Sequence, residues 1–76
     1  MITVKLYGLL RIESGIKEKQ LEAYTAKEVL AVLADCGISQ TDLSRCIILV
    51  NGKSGSKRSK LTDGDTVVLM SPVAGG

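Results

Sequence analysis

The residues best suited to chemistry are the last three, Ala74-Gly75-Gly76. Glycine has no side chain, so a pair of them lets the backbone approach another surface closely and enter a channel too narrow for ordinary residues. The run ends in a main-chain carboxylate on Gly76. A carboxylate is a poor acyl electrophile, but joining it to ATP as an acyl adenylate makes it a good one, and a sulfur or amine nucleophile then takes the acyl group. That chemistry needs no catalytic side chain from the protein itself.

Other chemistries are poorly supplied. The chain has no histidine, so neither a Ser-His-Asp nor a Cys-His arrangement assembles, and no histidine joins the cysteines in a zinc site. No metal ligand set is expected. Cys36 and Cys46 are too few to staple a fold of this size and lack an obvious base. They are expected to be packed, reduced thiols. The stretch Asn51-Gly52-Lys53-Ser54-Gly55-Ser56-Lys57 superficially resembles a phosphate loop, but the glycine required five residues before Gly52 is Ile47. Lys53, Lys57, Arg58 and Lys60 form a basic segment with no acidic residue among them. Without an interleaved aromatic to stack on bases, the segment reads as a solvated turn-rich loop or as a docking aid for an acidic protein partner, not as a nucleic-acid site.

The composition bounds what can hold these residues in place. With 76 residues, 45% of them apolar and 24% charged, the chain fits one small domain, of a size that buries roughly 60% of its unfolded surface. Residues 1–72 are expected to form that domain and 73–76 a C-terminal tail. A net charge of +2 argues for no nucleic acid or membrane partner over the whole surface. No apolar run approaches the roughly 18 residues of a membrane span. The N-terminus also lacks the pattern of a secretory signal, and a cytoplasmic location is expected.

Met1 to Tyr7 alternates, placing Ile2, Val4 and Leu6 on one face, as a half-buried strand does. Gly8 to Gly15 reads as a connection, and Lys17 to Tyr24 as an edge strand paired with the first in a hairpin. Thr25-Ala26-Lys27-Glu28 fits a capping box, with the Thr25 hydroxyl accepting from the Glu28 amide and the Glu28 carboxylate reaching back to the amide of Thr25. Val29, Leu30, Leu33 and Ala34 then recur at helical spacing, and Gly37 suits the left-handed stop. A polar connection through Thr41 and Asp42 leads to Cys46–Val50, a continuous apolar run expected of a strand with both faces covered or one face reserved for a partner. Asn51-Gly52 and Thr62-Asp63-Gly64-Asp65 are sharp turns. Thr66 to Met70 is the last strand, closed by Pro72.

The class is therefore α+β: one main helix across one face of a mixed four- or five-stranded sheet. If Val67 and Leu69 point inward, Tyr7, Val68 and Met70 share the face away from the helix. They form an apolar partner site there, or lie beneath long connecting loops.

Taken together, "VKLYGLLR", "TAKEVLAVL", "ILVNGK", "LTDGD" directly before the last strand and the terminal "SPVAGG" resemble the ubiquitin-like sulfur carriers of MoaD/ThiS type. Within them the chain is similar to the small subunits of molybdopterin synthase. The resemblance runs over nearly the whole chain and implies a β-grasp fold. It implies that Gly76 is adenylated by a ubiquitin-activating-enzyme-like protein of MoeB/ThiF type, which uses ATP, and is then converted to a thiocarboxylate with sulfur from a donor protein. It also implies that Ala74 and Gly75 thread into partner active sites, including that of a large synthase subunit of MoaE type. Tyr7, Val68 and Met70, with Pro72 and Val73, would then contact these partners. The chain would be a sulfur-carrying subunit, not an enzyme by itself, with no bound cofactor. Similar small subunits often carry a Pro-Pro pair where this chain has Ser71-Pro72. Related carriers serve thiazole, cysteine or tRNA thiolation, and some attach to protein lysines. A plain interaction domain whose glycines form a frayed end is a further reading.

Overall fold

A computed structural model describes residues 1–71. The alternation at the start of the chain forms β1, Ile2–Tyr7, with Ile2, Val4 and Leu6 buried. Beside it runs β5, Thr66–Met70, parallel to β1 and in a register that sets Val4 opposite Val67 and Leu6 opposite Leu69. The edge strand β2, Glu18–Leu21, pairs antiparallel with the other side of β1. On the far side of β5 lies β3, Ile47–Val50, antiparallel to it, followed by the two-residue β4, Lys53–Ser54. The strand order β2-β1-β5-β3-β4 places the chain's first and last strands together in the middle of a mixed sheet. Asn51 and Gly52, with φ of 51° and 83°, make the tight turn between β3 and β4 that their types demand.

The main helix α2, Ala26–Asp35, lies across one face of this sheet with Val29, Leu30 and Leu33 buried. Burying each of these contributes about 1.5–3 kcal/mol, whereas ordering each backbone residue costs about 1–2 kcal/mol, so the helix depends on the sheet beneath it. Its cap works in both directions. The Thr25 hydroxyl accepts from the Glu28 amide at 3.3 Å, and the Glu28 carboxylate accepts from the amide of Tyr24 at 3.2 Å. The return bond thus falls one residue before the expected Thr25 amide.

Two stretches read from sequence as connections are helical. Leu9–Ser14 forms α1, bracketed by Gly8 and Gly15 with φ of 68° and 71°. Gln40–Arg45 forms α3, whose N-cap Ser39 accepts from the amides of Thr41 and Asp42. Each has six residues and one buried anchor, Leu10 or Leu43, too little to display a helical period. β1 and β2 therefore pair as expected but are joined through α1 instead of a hairpin turn.

A second correction concerns Cys36. It stands at the C-cap of α2, past the last core position, and is exposed. Cys46 is partly buried, as expected. Leu61, isolated in the sequence, is part of the core. No helix among the described residues is long and apolar enough to cross a membrane.

Candidate docking face

All three helices send their buried residues into the same core as Ile2, Val4, Leu6, Val67 and Leu69. Side chains alternate across a sheet, so the residues between these face the other way. The register aligns them in rows. Tyr7, Met70 and Ile47 lie side by side across β1, β5 and β3; Lys5, Val68 and Leu49 form the next row; Thr3 and Thr66 lie beyond. Polarity therefore falls along the strands toward the end of β5. At that end Tyr7 is 44% exposed and Ile47 45% exposed, while Val68, Leu49 and Met70 are partly buried by their neighbours.

Tyr7, Val68 and Met70 thus share one face, and two further sets of residues join this end of the sheet. Ile47 follows from the pairing of β3 with β5, which sequence spacing alone does not reveal. Leu9 and Ile12 belong to α1, where they are 46% and 76% exposed; a three-residue spacing sets them on one side of the helix. The bracket of Gly8 and Gly15 around Leu9-Leu10-Arg11-Ile12 was the signal in the sequence that could have exposed this helix. Exposed apolar side chains gathered at one edge of a small protein mark an interaction surface.

α1 is tied to the end of β5 by one side chain. The amide of Leu9, the first residue of α1, donates to Ser71 Oγ at 2.7 Å. Gly8 lies directly beneath, and a Cβ built there would overlap the same oxygen. Pro72, Val73, Ala74, Gly75 and Gly76, the remaining residues singled out in the sequence, lie outside the described residues.

Elsewhere the candidate chemistry resolves into structure. Cys46 donates its S–H to the carbonyl of Leu43 at 3.0 Å, and burial pushes its thiol above the ordinary cysteine value, which leaves little nucleophilic thiolate. The basic segment closes over the start of α2, where the amides of Ala26 and Lys27 donate to the carbonyls of Ser59 and Lys57, both at 3.0 Å. Those amides are taken by protein oxygens and do not form a phosphate cradle. Lys53, Lys57, Arg58 and Lys60 themselves are exposed. An open groove of about 200 Å³, lined by Leu30, Ala31 and Leu43 with Lys27 and Lys57 at its rim, lies among the helices and so away from the bare face. No group of three or more potential metal ligands occurs among the described residues.

Comparison with known proteins agrees with this fold. The ThiS family model matches residues 4–76. No curated protein gives a significant match. Among solved structures, SAMP1 from Haloferax volcanii is similar at a TM-score of 0.85 and 20% identity, over 99% of this chain and 98% of that one, a likeness of fold. Subunits 1 and 2 of molybdopterin-converting factor from Helicobacter pylori form a complex that includes a chain 26% identical to this one. That match has a TM-score of 0.74 and covers 99% of this chain and 97% of that one. The BexX/CysO complex of Amycolatopsis orientalis includes a chain 25% identical, with a TM-score of 0.76 and full coverage of both. The five-stranded sheet with its crossing helix is the β-grasp fold, and the chain belongs to the ThiS family of ubiquitin-like sulfur carriers.

Proposed function

We propose that this protein carries sulfur on its terminal main-chain carboxylate and delivers it within molybdopterin synthase, as the partner of a large catalytic subunit. The observation that carries the reading is the coincidence of two features at one end of the sheet. The exposed apolar row of Tyr7, Met70 and Ile47 ends β5, and the segment that leads to Gly75 and Gly76 follows directly. A partner seated on that row would meet the tail at once.

In the proposed cycle an adenylating enzyme of the MoeB/ThiF type docks on this face and admits Ala74, Gly75 and Gly76 to its active site. The Gly76 carboxylate attacks the α-phosphorus of ATP, pyrophosphate leaves, and an acyl adenylate results. Hydrosulfide supplied by a donor then attacks the acyl carbon, AMP leaves as the carbon–oxygen bond to it breaks, the sulfur loses its proton, and the thiocarboxylate remains. Pro72 and Val73 bridge from the docking face to the threaded glycines. The protein contributes docking, reach and the acyl group; the enzymes contribute catalysis.

The choice of acceptor is supported by the likeness to a chain found with molybdopterin-converting factor subunit 2. A second reading, delivery to a different acceptor, is supported by the comparable likeness to a chain found in the BexX/CysO complex and by Ser71 in place of the first proline of a pair. The test is to supply the thiocarboxylated protein to a purified large synthase subunit and the pterin precursor. Molybdopterin dithiolene is the expected product. Sulfur retained on the protein in that mixture, but released to a thiazole or cysteine synthase, would favour the second reading.

A further inference from the structure

The side chain of Ser71 does something that its position at the end of a strand does not require. Leu9 is the first residue of α1, and its amide is one of the donors a helix leaves without an internal partner. A side chain at the N-cap usually accepts such a bond. Here the N-cap is Gly8, which makes no side-chain cap bond. Ser71, 62 residues away in sequence, supplies the acceptor, at 2.7 Å from the Leu9 nitrogen. Gly8 makes room for it: its φ of +68° disfavours any side chain, and a Cβ at that site would overlap Ser71 Oγ. Gly8, Leu9 and Ser71 therefore form a clasp between the start of α1 and the exit of β5.

We propose that Ser71 is a positioning residue, whose bond to the Leu9 amide holds the root of the C-terminal tail against the apolar end of the sheet. This deepens the carrier reading above and rests on it. Docking on Tyr7, Met70 and Ile47 is a contact of the folded face; delivery of the carboxylate depends on where the tail begins. A fixed root raises the fraction of docked complexes in which the terminus reaches the reacting centre. A tail root released from the clasp lowers that fraction and leaves docking unchanged. Proline, which has no hydroxyl, cannot make this bond.

The test compares the full-length protein with Ser71→Ala and Ser71→Thr. Two measurements are made on each: hydrogen exchange of the Leu9 amide, and ATP–pyrophosphate exchange catalysed by a purified adenylating enzyme at varied carrier concentration. In Ser71→Ala, Leu9 should lose protection and kcat should fall about threefold to tenfold, the weight of one neutral hydrogen bond, with KM unchanged. Ser71→Thr, which keeps the hydroxyl, should restore both. Loss of protection with unchanged kcat would overturn the positioning role, as would a rise in KM alone, which marks a docking contact. Equal Leu9 protection in wild type and Ser71→Ala would overturn the clasp itself. Absence of pyrophosphate exchange with wild type would instead remove the carrier reading and the proposal with it, while the Leu9 result would still report whether the clasp exists.

Discussion

At the scale of single residues, two carboxylates respond to pH in opposite directions. Asp65 accepts from the Thr62 amide and from Asn51 Nδ2, both at 2.9 Å, while Asn51 Oδ1 accepts from the Thr66 amide at 2.9 Å. The Thr62 amide, then the Asn51 side chain, hold the Asp65 carboxyl below the usual aspartate range. This network pins the turn after β3 to the start of β5. A lowered folded-state value gives stability that is present above the unfolded pKa, about 3.9, and lost as pH falls through the lower folded one. Glu13 is the reverse: hydrogen bonding to Asp42, then its charge, raise the Glu13 carboxyl, so that contribution is present in acid and lost as pH rises. Asp65→Asn should therefore flatten the loss of stability below about pH 4, measured as the urea midpoint against pH. An acid limb as steep as that of wild type would show that the Asp65 bonds do not favour its charged form. The turn residues here were plain in the sequence, because Asn-Gly and Asp-Gly advertise positive φ. The bond between Asn51 and Asp65 was not, because it depends on which turns the sheet brings side by side.

At the scale of elements, the sheet divides its residues by face, and substitutions should divide the same way. Leu33 is fully buried between α2 and the sheet; Leu33→Ala should cost about 2–5 kcal/mol of folding stability by leaving a cavity. Ile47 is 45% exposed at the bare end, so Ile47→Asp should change the unfolding midpoint little. It should weaken binding to the adenylating enzyme by about 2 kcal/mol, roughly 30-fold, measured by calorimetry. Equal binding by wild type and Ile47→Asp would remove this row from the docking surface. β1, α2 and β5 were readable in advance because each repeats its period several times or carries a cap. α1 and α3 were not, since six residues with one buried anchor look like any loop with a stray leucine. Missing α1 concealed Leu9 and Ile12, and with them the partner of Ser71.

At the scale of the whole molecule, the core lies on one side of the sheet and the proposed docking face on the other. The basic segment, which looked like a possible site of its own, closes the start of α2. In the proposed cycle this protein of 76 residues lends the end of its chain to larger enzymes, and its folded part serves to be recognised. The direct test is to incubate the full-length protein with an adenylating enzyme, ATP and a sulfur donor and to weigh it intact. The mass should rise by the difference between one sulfur and one oxygen, only when ATP is present and only while Gly76 is retained. An unchanged mass in a mixture that exchanges pyrophosphate would contradict the assignment of sulfur transfer to this carboxylate.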